Sequence, residues 1–220
     1  MKLFCIILLS IFLLNCKKES KPIVSQKIEI EKPKEVYQLD NPTDFYQKLS
    51  NAVVSIIDPE IVYTPSYIAI DYPNGDVPAK TGVCSDVVIR AYRKLGIDLQ
   101  KEVHEDMKAN FSLYPKTWGL KSTDKNIDHR RVPNLETFFE RKGKSLPITQ
   151  NANDYQIGDI VTWRLSGDGI PHIGIVTHLK SNPDASGGKR NKIVHNIGNG
   201  QVLEDCLFNW KIVGHYRYEK

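Results

Sequence analysis

Long apolar runs are scarce in this chain of 220 residues. The longest, Leu3 to Leu14, is apolar at every position but Ser10. As a helix it spans about 18 Å, short of the ~30 Å hydrocarbon core, so a multi-span membrane protein is excluded. Charge of one sign is equally scarce: 30 Lys and Arg stand against 26 Asp and Glu, a net +4. Lys2 and the Lys-rich stretch Lys17 to Tyr37 carry most of that excess. The remainder is close to neutral and makes no electrostatic case for a nucleic-acid partner. Internal repeats are lacking, which excludes solenoids and propellers. What is present is 40% apolar and 25% charged residues, enough to bury a core and inconsistent with wholesale disorder or a collagen-like chain.

Residues 1–15 read as a signal peptide, with Lys2 before the apolar segment and Leu13-Leu14-Asn15-Cys16 at its end. The last four resemble a bacterial lipobox, in which Cys16 is acylated and becomes the mature N-terminus. Asn15 departs from the small residue usual there, and plain secretion with an incidental Cys is the alternative. Lys17 takes the place of the Asp that would retain a lipoprotein at the inner membrane. The resemblance therefore implies a cell-envelope protein held through Cys16, in the outer membrane and facing the periplasm. Residues 16–38, rich in Lys, Glu, Ser and Pro, read as the lipidated Cys and a flexible tether. Ile28-Glu29-Ile30-Glu31 alternates as a short edge strand would.

Residues 39–220 form the expected domain. Helix signals place one helix from Asn41-Pro42 to about Asp58, with Phe45, Leu49, Val53, Ile56 and Ile57 as its apolar stripe. Others are expected over Cys84–Leu95, stopped by Gly96, over Leu99 to about Asn110, and from Pro133 to Arg141, ending at Gly143. After Gln150 the texture becomes β-branched and aromatic. Strands are expected over 157–165, 170–179, 192–197, 201–203 and 211–218, separated by Gly, Asn and Pro. Helices followed by short strands predict an α+β fold, an antiparallel sheet covered on one side by helices.

Of four cysteines, processing would remove Cys5 and acylate Cys16, leaving Cys84 and Cys206 as thiols or as a disulfide. Cys84 follows a Gly turn and begins a helix whose inner face is Val87, Val88, Ala91 and Leu95. At a helix start, free N–H groups and the macrodipole favour an anion, and such thiols ionise near neutral pH. A nucleophilic Cys needs a base, and the base an orienting group. Pro171-His172-Ile173-Gly174-Ile175-Val176 and Ile193-Val194-His195-Asn196-Ile197 supply imidazoles in two successive strands. Antiparallel pairing would set both rings on one sheet face. Taken singly, each is more often a satisfied core or edge histidine, a preference that their joint occurrence with a helix-start Cys reverses.

Gly82-Val83-Cys84-Ser85-Asp86, Gly158-Asp159-Ile160-Val161-Thr162-Trp163, Pro171–Val176 and Val194-His195-Asn196-Ile197-Gly198 follow in the order seen in NlpC-type peptidases of the papain-like superfamily. The stretch from about Asp76 to Tyr218, including 104–107, 128–135 and Gly214-His215-Tyr216-Arg217-Tyr218, resembles a bacterial family known as domain of unknown function 1287. The resemblance implies a papain-like NlpC-type fold, with Cys84 as nucleophile and His172 as general base. It makes His195 the polar third member, with Asn196 competing, and lets Tyr67 or Tyr72 support the nucleophile. No cofactor is implied. Val83 before the Cys, Asp86 two after it, and the insertion Ser181–Arg190 depart from the NlpC pattern.

Arg130 or Arg131 could clamp a substrate carboxylate, or pair internally with Glu105 or Asp106. Trp163 is expected as a core residue or groove wall, and Asp159 as the fixer of a turn. His104-Glu105-Asp106 with His129 lacks the spacing of a zinc site, so no metal is expected. The function implied is an envelope cysteine peptidase or amidase that cuts an amide bond in peptidoglycan stem peptides. The alternative is a lipoprotein that binds peptidoglycan or peptide on an inactive protease scaffold.

Overall fold

Short acidic residues open two of the helices by accepting from otherwise unpaired N–H groups. In the computed structural model, which describes residues 37–166, 169–183, 187–198 and 200–220, Asp44 Oδ1 takes the Gln47 N–H at 2.9 Å to start α1, Phe45–Ser55. Asp98 does the same for α3, Leu99–Ala109, accepting from Lys101 N–H at 3.2 Å. Between them lies α2, Cys84–Lys94, where Asp86 reaches back to the Val83 N–H at 2.7 Å. Pro133, preorganised for a first helical turn, sits near the start of α4, Val132–Lys142. These helices match the expected ones to within a few residues. The first starts later than Asn41-Pro42 suggested, because Asp44 supplies the cap.

The strands are β1 (Val62–Tyr63), β2 (Thr81–Gly82), β3 (Lys144–Ser145), β4 (Ile160–Leu165), β5 (Ile170–Lys180), β6 (Asn191–His195), β7 (Val202–Glu204) and β8 (Lys211–Arg217). β1 and β2 pair in parallel, and the other six form an antiparallel sheet in the order β3-β8-β4-β5-β6-β7. The α+β class and the antiparallel C-terminal sheet are therefore as read from the sequence. β1 falls in the stretch 61–78, where the sequence reads as a loop with short extended pieces, but β2 and β3 were not foreseen. At two residues each, they carry no periodicity to read.

Alternation along the strands divides the sheet residues between two cores. Ile160, Ile173, Ile175, Val194 and Tyr216 pack with Leu49 and Val53 of α1, Val87 and Val88 of α2, and Phe138 and Phe139 of α4. Val161, Trp163, Val176 and Ile193 face the other way, onto Tyr155, Cys206 and Leu207, with Phe208 and Trp210 at the margin. The sheet is thus covered on both sides, by helices on one and by loop residues on the other. Gly174 sits where β5 and β6 press together. A Cβ there would lie 2.6 Å from Ile193 Cγ2 and 3.2 Å from His195 Cβ.

The signal peptide, Cys16 and most of the tether lie outside the described residues. Tyr37 and Gln38, assigned to the tether, are already docked: Tyr37 O meets His178 Nε2 at 2.9 Å, and Gln38 Nε2 donates to Asn51 O at 3.3 Å. Among the described residues no helix is long and apolar enough to cross a membrane.

Candidate active site

Cys84 begins α2 on the helix side of the sheet and is 4% exposed. The N–H groups of Ile173, Ser85 and Cys84 itself are aimed at its sulfur, and the Tyr63 hydroxyl hydrogen-bonds to it. Burial outweighs those donors: desolvation, with the Asp86 charge adding to it, pushes the thiol up to about 12. This corrects the expectation of a thiolate at neutral pH. A helix start lowers a thiol's pKa only while the anion is adequately solvated, and here water is excluded. The bridge to Cys206 is not formed either, and both thiols are free.

On the opposite face of β5, His172 stands directly across from Trp163 in register and is 2% exposed. Its ring lies against Trp163 and Trp210, each with a centroid 5.8 Å away. His172 Nε2 is 2.8 Å from His195 Nδ1. His195, fully buried, turns its Nε2 to Glu204 Oε2 at 3.1 Å and to Cys206 Sγ at 3.6 Å. Burial, with His195 adding to it, lowers His172 to about 3, so the ring is neutral at neutral pH, as a base must be. Burial also lowers His195, against the opposing pull of Glu204.

The two imidazoles thus meet as the pairing of successive strands foretold. The thiol is joined to them through the backbone, because its sulfur faces the N–H of the residue after His172. Among the described residues Cys84 and the His172 ring share no hydrogen bond. Asn196 is buried and turned into its own loop, with Oδ1 accepting from Gly198 N–H at 3.0 Å. His195, not Asn196, therefore touches His172.

Several sequence expectations change. Tyr63, not Tyr67 or Tyr72, reaches the thiol. Tyr67 bonds Asn126 and Asp124 at the surface, and the Tyr72 ring rests on His104. Arg130 is no substrate clamp: it is buried, with Nε and Nη2 each 3.0 Å from the Asp86 carboxylate. Its partner is neither Glu105 nor Asp106. Arg131 lies 4.3 Å over the Trp118 ring with Asp128 at 3.6 Å, leaving it the nearer of the two to solvent. Trp163 is fully buried and donates to Leu207 O at 2.9 Å, so it backs His172 and lines no groove. Asp159 does fix a turn, accepting from Gln156 N–H at 2.8 Å, and also holds His215 at 2.6 Å.

Sequence reasoning missed Tyr63 and Glu204. Parallel pairing of Val62 with Thr81 delivers Tyr63 beside Cys84, and β6–β7 pairing delivers Glu204 to His195. No local pattern marks either pairing.

Comparison with known proteins adds three findings. A family model described as a domain of unknown function (DUF1287) matches residues 50–218. The uncharacterized protein YijF of Escherichia coli (strain K12) is 56% identical over 158 residues, 72% of this chain and 74% of that protein. Two solved structures, NlpC2 and NlpC1 from Trichomonas vaginalis, are each 15% identical with a TM-score of 0.42, over 82% and 83% of this chain. This chain spans 48% and 46% of their lengths, about half in each case. With most of its length matched by the family model, from residue 50 to residue 218, the chain belongs to the DUF1287 family.

Proposed function

We propose that this protein is a cysteine hydrolase, a peptidase or amidase, acting on an amide bond through Cys84, His172 and His195. The observation that carries the reading is a buried chain of polar groups, His172–His195–Glu204, on the strand whose next N–H, that of Ile173, faces a helix-start thiol. A sheet core gains nothing from two hydrogen-bonded imidazoles sealed under tryptophans, whereas general-base chemistry needs a neutral ring oriented through its far nitrogen.

The thiol is protonated and His172 neutral at rest, so the nucleophile is activated during attack and not before it. At rest the sulfur and the ring lie on opposite faces of β5, so on this reading substrate binding drives a rearrangement that brings them together at the start of the strand. The Sγ proton then passes to His172 Nδ1 as sulfur bonds the carbonyl carbon. The helix-start N–H groups stabilise the oxyanion, a contribution of about 3–4 kcal/mol per donor in known enzymes. His172 returns the proton to the leaving nitrogen as the C–N bond breaks. Water next gives a proton to the same nitrogen and attacks the thioester, and the departing sulfur recovers that proton.

The NlpC-type motifs favour a peptidoglycan stem peptide as substrate, and the lipobox-like segment favours an envelope location with the membrane reached through Cys16. As a flexible tether, residues 17–36 have an r.m.s. span of about 25 Å, a reach suited to the wall. One observation favours the second reading, a peptide-binding lipoprotein on an inactive scaffold: the resting thiol is buried, neutral and not bonded to His172. Incubating wild type and Cys84→Ala with purified sacculi, followed by mass analysis of soluble fragments, separates the two. Wild type releases fragments and the variant does not. Equal release overturns catalysis by Cys84, and sedimentation of both proteins with sacculi without any release supports the binding reading.

A further inference from the structure

The paired imidazoles have two possible hydrogen patterns, and one of them disables the base. If His195 carries its proton on Nε2, its Nδ1 accepts from His172 Nε2–H and leaves His172 Nδ1 bare. If the His195 proton sits on Nδ1, it donates to His172 Nε2, and the His172 proton occupies Nδ1. Either pattern makes one bond between the rings at 2.8 Å, so the rings do not choose. The choice falls to whatever faces His195 Nε2.

Two groups do so, and they ask for opposite patterns. The Glu204 carboxylate, at 3.1 Å, only accepts and requires a proton on Nε2. The Cys206 thiol, at 3.6 Å, is kept protonated by burial and can donate to a bare Nε2. The carboxylate is closer, and a hydrogen bond to an ionised acceptor is about twice as strong as a neutral one. Glu204 lies on the edge strand β7, across from Ile193 in register, and so on the same face as His195, two residues along β6. Trp210 lies against both imidazoles. His172 Nδ1 has no hydrogen-bond partner among the described residues.

We propose that Glu204 is a positioning residue that sets the order of protons through His195 and His172, overriding Cys206, so that His172 Nδ1 stays free to accept. The inference rests on the hydrolase reading for its consequence, but the proton order itself belongs to the folded protein and needs no substrate.

Long-range ¹H–¹⁵N spectra of labelled protein at neutral pH test it directly. Wild type is expected to show both rings protonated on Nε2. In Glu204→Ala, Cys206 becomes the group facing His195, and both rings shift toward Nδ1 protonation. Cys84-dependent fragment release then falls about tenfold or more; loss of tautomer control by a fully buried triad carboxylate reaches about 10⁴. Glu204→Gln retains an accepting oxygen and restores both the spectra and most of the rate. A wild-type proton on His172 Nδ1, or an unchanged pattern in Glu204→Ala, overturns the assignment. The side chain of Glu204 is 48% exposed, so the variants fold, and thermal unfolding checks that they do. If no variant and no wild type releases fragments, the hydrolase reading fails while the spectra still decide the role of Glu204.

Discussion

At Cys84 two physical effects oppose each other, and burial wins. The position at the head of α2 was legible from a Gly turn followed by an apolar helical face, but its ionisation was not. Helix-start electrostatics can be read locally, whereas desolvation depends on what the rest of the chain lays over the sulfur. Here the helix-side core that packs α2 against the sheet supplies that cover. The consequence is measurable. With the thiol at about 12, iodoacetamide modification of Cys84 in the free protein is slow at pH 7. It rises about tenfold per pH unit through the alkaline range, following the thiolate fraction. Peptide mapping by mass spectrometry gives the rate at each pH. A rate already level at pH 7 would mean a preformed thiolate and a different activation step. Slow labelling at neutral pH is therefore not a sign of a dead site in this protein.

Among the elements, α2 depends most on a distant partner. Asp86 caps its first turn and also receives both arms of Arg130, whose side chain is 2% exposed. Arg130 also donates to the carbonyls of Thr64 and Ser66, tying the segment that carries Tyr63 to the same point. Arg130→Met should cost about 3–5 kcal/mol, since removing one member of a buried pair strands the other charge. A shift of the urea midpoint with unchanged slope reads this loss. If Arg130 acted on substrate instead, stability would hold and only KM would rise. The helices were legible because caps and a 3.6-residue period persist over eleven residues. The Asp86–Arg130 pair was not, because a cation in a loop gives no sign of which carboxylate it will meet.

Acid should unfold the whole molecule earlier than its carboxylates alone would suggest. Burial lowers His129 and His172 from 6.5 to about 3, so between those values the unfolded chain binds protons that the folded chain refuses. Stability therefore falls as pH drops below about 6.5. Burial also lowers His104, His178 and His195. Asp128 acts in the opposite sense, because burial raises it to about 6 and its folded form takes up a proton first. Histidines outnumber it, so the Tm should decline from pH 7 to pH 4.5, and His129→Phe, which keeps an aromatic ring but cannot take up a proton, should weaken that decline. An identical decline in the variant, followed by scanning calorimetry, would place the acid sensitivity elsewhere. At this scale the sequence disclosed the α+β order and the run of strands. It gave no sign of the second core, because Tyr155, Cys206 and Leu207 come from loops without periodicity.

That second core has a geometric outcome. With both broad surfaces of the sheet already occupied, only its edges and the ends of its strands stay open, and on the hydrolase reading a chain to be cut would come in by the strand ends. Ile170 and Ile197, 67% and 36% exposed and each two positions from one of the paired histidines, stand at that threshold.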